Sequence, residues 1–102
     1  MQFTATVEKS FWGKAKGWLG RRQAAPGEGL LLEGCASIHT FGMRFSLDVL
    51  FLDRSFRVLK TVRNLKPWRA AACSGAWGVL ELPAGTVSGS LEGRRLSILE
   101  RA

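Results

Sequence analysis

The sequence lacks long apolar runs and has few cysteine and histidine residues. No apolar run approaches the roughly 18 residues that a membrane-spanning helix needs, so we expect no transmembrane segment. The first eight residues lack a basic start followed by an apolar stretch, which argues against a signal peptide and favours a cytoplasmic location. The 102 residues include two cysteines, one histidine and no tyrosine, which narrows the metal and redox chemistry available.

The two cysteines and the histidine do not form a recognisable metal-binding pattern. Cys35 and Cys73 are far apart in the sequence, and neither belongs to a Cys-x-x-Cys pair, so we interpret both as reduced, buried residues. A structural zinc site needs about four ligands. Cys35, His39 and Cys73 could supply three, but no matching ligand pair accompanies them. We therefore expect no metal ion and no cofactor.

Motifs of nucleophilic catalysis and nucleotide binding are also absent. The chain has no Gly-x-Ser-x-Gly elbow and no glycine-rich loop of the Walker or dinucleotide type. A run of basic and aromatic residues of the RNA-recognition type is missing as well. These absences favour a protein that is not an enzyme.

What the chain has in excess is positive charge. There are 15 Lys and Arg against 8 Asp and Glu, a net charge of +7, with the densest cluster between residues 14 and 22. This balance suits acidic partners such as nucleic acid, anionic lipid or an acidic protein. The hydrophobic fraction of 46% and the length of 102 residues predict one globular domain over residues 1–102.

Alternating apolar residues predict a mainly β fold. We expect strands near residues 3–7, 30–32, 47–52, 56–62, 76–82 and 95–100, with residues 37–45 difficult to assign. A short N-terminal helix is predicted after a Ser10 cap, because residues 11, 12, 15, 18 and 19 share one helical face and Gly20 can end it. One weak helical turn could follow between residues 86 and 93. Together these elements predict a compact β-sandwich or barrel with one early helix.

Two acidic residues and one tryptophan are the candidates for function that the pattern itself provides. Asp48 and Glu81 lie within apolar strands, where a carboxylate must be paired, hydrogen-bonded or turned to solvent. Such groups can mark functional sites or serve as structural links. Trp68 follows Pro67 in a loop and is the aromatic residue that we expect to be exposed, whereas Trp12, Trp18 and Trp77 suit the core.

Several motifs, in order, resemble a known prokaryotic family, the domain of unknown function 192. They cover about residues 6–99 and comprise KAKGWLGR at 14–21, GLLL at 29–32, IHTFGMRFSLDVLFLD at 38–53, NLKPW at 64–68 and VLELPAG at 79–85. The resemblance implies a mostly β, jelly-roll-like sandwich and no established reaction. Three positions depart from the family pattern: Phe56 stands where a turn glycine is usual, Arg94 and Arg95 replace a Gly-Asp pair, and Ser46 replaces a proline.

The favoured hypothesis is a small non-enzymatic module that binds a small anionic ligand or a protein partner. Its polar motif residues would form the site, with Arg44 meeting an anionic group, Trp68 stacking on the ligand, and Asp48 or Glu81 orienting it. His39 is the remaining candidate. Two alternatives stay open: a hydrolase that uses Asp48 or Glu81 as general base, and a nucleic-acid-binding protein driven by the positive charge.

Overall fold

The computed structural model of the protein describes residues 1–9 and 18–101, which form eight β-strands and no helix. The strands are β1 (Gln2–Glu8), β2 (Leu30–Glu33), β3 (Ser37–His39), β4 (Leu47–Leu52), β5 (Val58–Leu65), β6 (Ala70–Ala72), β7 (Gly78–Pro83) and β8 (Ser97–Glu100). The predicted mainly β class is therefore confirmed. The described residues offer no helix that could cross a membrane.

The predicted N-terminal helix is not found in the described part of the chain. Most of it falls on residues 10–17, which lie outside the described residues, and Trp18–Gly20 forms a turn in which Gly20 has a φ of +83°. The weak helical turn expected at residues 86–93 is wrong, because that segment consists of turns and bends. Its apolar residues Val87 and Leu91 are nevertheless buried.

Six strands form one mixed sheet in the order β5-β4-β7-β2-β1-β8, and β3 pairs with β6 in a separate antiparallel sheet. In the large sheet β1 is parallel to both β2 and β8, whereas the other neighbours are antiparallel. These parallel pairs differ from the antiparallel pattern of a jelly roll.

The large sheet is not closed into a barrel, so the barrel alternative is wrong. A single antiparallel bridge joins Arg57 to Arg95, just ahead of the two edge strands β5 and β8. Phe56 helps to form this junction, since its carbonyl accepts a hydrogen bond from the Leu96 N–H at 2.9 Å. Phe56 has a φ of +66°, so the chain accepts a strained backbone at this turn.

Both faces of the large sheet are buried at its inner strands, and this explains why β4 and β7 are continuously apolar apart from one acid each. Alternate residues along β4 enter different cores, since Leu50 and Leu52 belong to one cluster and Val49 and Phe51 to the other. We name the first cluster core 1 and the second core 2. Core 1 is covered by the 84–96 segment through Val87, Leu91 and Leu96. Core 2 is covered by the small sheet, because Ile38 of β3 and Ala71 of β6 pack into it.

Asp48 is buried on the core 1 face of β4, where its carboxylate accepts three backbone hydrogen bonds. Oδ1 accepts from the Asn64 N–H at 2.8 Å, and Oδ2 accepts from the Gly85 N–H at 3.0 Å and the Val87 N–H at 2.9 Å. The residue is only 1% exposed. Its carboxylate therefore fixes the end of β5 and the turn after β7 to the central strand.

We predict that Asp48→Asn destabilises the fold without altering its surface. An amide has one acceptor oxygen and would turn its NH₂ group toward backbone donors, which leaves buried N–H groups without partners and costs on the order of 2 kcal/mol. Urea unfolding of the variant should show this loss. As a control, Asp53→Asn should have a smaller effect, because the turn that Asp53 caps is exposed. An unfolding free energy equal to that of the wild type would contradict the structural role of Asp48.

Candidate functional site: an exposed aromatic platform

Three aromatic side chains form a continuous stack at one end of the small sheet. The rings of His39 and Phe41 lie 4.8 Å apart between centroids at an angle of 26°, and those of Phe41 and Trp68 lie 6.0 Å apart at 21°. All three residues are exposed, with Phe41 at 48% and Trp68 at 64%. We refer to His39, Phe41 and Trp68 as the aromatic platform. The predicted exposure of Trp68 is thus confirmed.

A buried threonine holds the two loops of the platform together. Thr40, which has no exposed surface, lies between His39 and Phe41 in the sequence. Its hydroxyl donates to the Lys66 carbonyl at 2.6 Å and accepts from the Arg69 N–H at 2.9 Å. Its own N–H donates to the Arg69 carbonyl at 2.8 Å, and its carbonyl accepts from the Trp68 N–H at 3.0 Å. The backbone on both sides of Trp68 is therefore fixed to the loop that carries Phe41.

The backbone of Trp68 is strained. Its φ of +64° lies in the left-handed region, which bulky residues rarely adopt. A conformation of this kind costs about 1–2 kcal/mol and persists only where surrounding contacts impose it. Here the Thr40 hydrogen bonds impose it, and the result is a large apolar ring held in solvent.

Positive charge is concentrated in the two segments that carry the platform. Residues 37–47 and 63–73 contain four cationic side chains and no Asp or Glu. Arg63 is directed elsewhere, since its Nε donates to the Val87 carbonyl on the core 1 side. The remaining three, Arg44, Lys66 and Arg69, are exposed on the loops that carry Phe41 and Trp68. We refer to these three as the basic rim.

The five residues singled out from the sequence do not converge on one surface. His39 and Trp68 belong to the platform, and Arg44 lies exposed on the loop next to it. Asp48 is buried on the core 1 face. Glu81 is buried on the opposite face, between Leu30 of β2 and Val49 of β4. The two carboxylates therefore sit inside the protein, away from the platform.

Glu81 is an uncommon buried acid, for which the described part of the chain provides one hydrogen-bond partner. Its Oε1 accepts from the Trp18 indole Nε1–H at 2.9 Å, which fixes the turn at residues 18–20 to the sheet. Burial raises the pKa of Glu81 to about 7, and the hydrogen bond from Trp18 opposes this rise only in part. Trp18 is buried in core 2, so its predicted place in the core is confirmed.

A shallow depression of about 700 Å³ lies at the other end of the small sheet, between residues 34–36, the 53–55 turn and residues 75–77. Its one carboxylate, Asp53, already accepts hydrogen bonds from the Ser55 N–H, the Ser55 hydroxyl and the Arg57 N–H. These bonds lower the pKa of Asp53. Within residues 1–9 and 18–101 no three His, Cys, Asp or Glu side chains cluster as metal ligands would. The platform is therefore the more distinctive surface.

Four residues of the site are not among those that the sequence singles out. Phe41, Lys66 and Arg69 contribute exposed side chains, and Thr40 contributes the buried contact that positions them. Phe41 and Trp68 are 27 positions apart, and the β3–β6 pairing and the Thr40 hydrogen bonds bring them together. The sequence offers one local signal for this site, which is an aromatic residue next to a glycine or proline in a stretch without acidic residues, as in Phe41-Gly42 and Pro67-Trp68.

The sequence matches a model of the DUF192 family, described as "Uncharacterized ACR", over residues 1–98. Among curated proteins, UPF0127 protein PH1112 from Pyrococcus horikoshii is 62% identical over 34 residues. These residues are 33% of this chain and 29% of that protein, so the match spans less than a third of the relative.

Two solved structures share the fold. A protein of unknown function from Novosphingobium aromaticivorans superposes with a TM-score of 0.70 at 22% identity, over 79% of this chain and 63% of that chain. A protein from Sinorhizobium meliloti, described as a candidate transcription regulator, superposes with a TM-score of 0.74 at 26% identity. That match covers 81% of this chain and 70% of that chain.

We predict that Trp68→Gly is more stable than Trp68→Ala. Both variants lose the ring, but only glycine adopts a φ of +64° without strain, which should favour it by about 1 kcal/mol in urea unfolding. As a control, Ala70→Gly in β6 should be destabilising, since glycine weakens an ordinary strand. A Trp68→Ala variant that equals or exceeds Trp68→Gly in stability would show that the backbone at this position is not strained.

We predict that the unfolding free energy falls as the pH rises through the titration of Glu81. The raised pKa means that folded Glu81 keeps a proton between pH 4.5 and about 7, where the unfolded chain has released it. The stabilisation is fully present below pH 4.5 and is lost as the pH rises through about 7.

Glu81→Gln tests this, because its amide oxygen can still accept from Trp18 but does not titrate. At pH 8 it should exceed the wild type in unfolding free energy by on the order of 2 kcal/mol, with little change between pH 5 and 8. Glu100→Gln, an exposed control in β8, should show the same dependence of unfolding free energy on pH as the wild type. If the unfolding free energy of Glu81→Gln depends on pH as steeply as that of the wild type, another group causes the pH dependence.

Proposed function

This chain belongs to the DUF192 family, whose activity is uncharacterised, and from its own geometry we propose that it is a non-enzymatic binding module whose site is the aromatic platform. The observation that carries the proposal is the exposed stack of His39, Phe41 and Trp68, held in place by a buried hydrogen-bond network. An exposed tryptophan in a strained conformation is unfavourable for folding alone. A bound ligand or partner gives it a use.

The basic rim defines the class of ligand. Arg44, Lys66 and Arg69 are exposed, and no acidic residue in the surrounding segments neutralises them. A ligand that combines a planar apolar group with a negative charge would stack on the platform and pair with the rim. This chemistry suits a small aromatic anion or an anionic segment of a larger partner. A cytoplasmic location is part of the same proposal.

The hydrolase alternative has less support. Both oxygens of Asp48 are occupied by backbone N–H groups, and the residue is 1% exposed. Glu81 is also buried and directed at Trp18. A general base must come within hydrogen-bond reach of its substrate. Neither carboxylate lies at a surface that a substrate could reach in this arrangement.

Binding of 2-naphthalenesulfonate, a planar aromatic anion, tests the proposal directly. In an NMR titration of the ¹⁵N-labelled protein, we expect shifts of the Trp68 indole N–H and of the amides at 39–44 and 66–70. Trp68→Ala should abolish these shifts, because the ring that stacks on the probe is gone. Lys66→Ala should weaken binding severalfold through loss of a charge.

The matched controls address apolar contact and charge separately. Leu99→Ala removes an exposed apolar side chain on edge strand β8 and should leave the titration unchanged. The uncharged analogue 2-naphthol should bind more weakly than the sulfonate. Shifts that map to the depression beside Trp77, or that persist in Trp68→Ala, would refute the platform as the binding site.

A further inference from the structure

We infer that the physiological ligand of the platform is single-stranded nucleic acid, an inference that rests on the proposed binding function and specifies its partner. A single strand combines planar bases with phosphates at short intervals. The platform offers near-parallel rings with tilts of 26° and 21°, and the basic rim lies on the same two loops. Proteins that bind single strands join these two features, stacking rings and a cationic track.

The geometry of the stack favours bases over other planar groups. Phe41 lies between His39 and Trp68, so the three rings form one continuous series. Unpaired bases can extend such a series from its exposed ends, and each stacked base contributes a sequence-independent part of the affinity. Duplex DNA keeps its bases paired and stacked on each other, so its base faces are not available to the platform. A single strand is therefore the form that uses both the rings and the charges.

The charge distribution distinguishes this partner from an apolar one. Three exposed cationic residues lie on the two loops of the platform, and residues 37–47 and 63–73 contain no Asp or Glu that would repel phosphates. The guanidinium of Arg69 lies beside the Trp68 backbone, since its Nη1 donates to the Trp68 carbonyl at 3.3 Å. A phosphate next to a base stacked on Trp68 would thus meet a positive charge. The net charge of +7 adds long-range attraction to a polyanion.

Fluorescence anisotropy with labelled 12-nucleotide oligo(dT) and oligo(U) tests the inference. We expect the wild type to bind the single strands more tightly than a 12-base-pair duplex at equal salt. The logarithm of the affinity should fall linearly with the logarithm of salt concentration, by about 0.7 for each phosphate contact. Trp68→Ala should weaken binding about tenfold with the salt slope unchanged, because stacking is lost and charge is kept.

Charge variants should show the opposite behaviour. Lys66→Ala should reduce the salt slope by roughly one phosphate contact. Arg94→Ala removes an exposed cation on the core 1 side and serves as the charge-matched control, which should leave the slope unchanged. Leu99→Ala is the apolar control. A 12-residue abasic strand should bind about as weakly to the wild type as oligo(dT) binds to Trp68→Ala.

The outcomes separate the two proposals. Naphthalenesulfonate binding at the platform without oligonucleotide binding would overturn the nucleic-acid inference and leave the binding module intact. Absence of both would overturn both. Equal binding of the abasic strand, of the duplex or of poly-glutamate would show that charge alone attracts polyanions. In that case an acidic protein would be the better candidate partner, and the inference would be wrong.

Discussion

The buried carboxylate of Asp48 is the contact on which the rest of the structure depends. Acting from the central strand, it accepts hydrogen bonds from Asn64 at the end of β5 and from Gly85 and Val87 after β7. Asn64 has a φ of +55° and is the second-last residue of β5, just before the loop that carries Trp68. The carboxylate therefore sets both the cover of core 1 and the direction in which the chain leaves β5 toward the platform. A buried acid with this set of donors is a structural link between the sheet and the site.

The central strands were predictable because burial on both faces leaves a strong pattern. β4 matches the predicted 47–52, and all six of its residues are buried. The ends of the strands were harder to predict. Phe56 and Trp77 continue the apolar pattern but lie just outside β5 and β7, since Phe56 occupies a turn at positive φ. Alternation alone does not reveal where a backbone leaves the extended region.

The small sheet and the platform could not be predicted in the same way. β3 and β6 have three residues each, too few for a periodic pattern, and β6 consists only of alanine. Their pairing is what brings Phe41 to Trp68. The fixing contact, the Thr40 hydroxyl, has no sequence signature, because a buried threonine resembles any other small polar residue in a loop. The resemblance to a family indicated that these segments matter, but the physical reason lies in contacts between distant positions.

The core and the platform differ in whether unfavourable groups are offset by contacts within the protein. In the core, the buried carboxylates have hydrogen-bond partners: Asp48 has three N–H donors, and Glu81 has the Trp18 indole, which offsets the effect of its burial only in part. At the platform, Trp68 combines a positive φ with an exposed ring, and only the Thr40 network compensates the backbone. Apart from the stacked Phe41, the ring is open to solvent, and Trp68 is 64% exposed. A fold optimised for stability alone would place glycine at position 68 and a polar residue at position 41. The exposed rings contribute little burial to the folded protein alone. Burial of the same rings against a ligand would supply that stabilisation on binding.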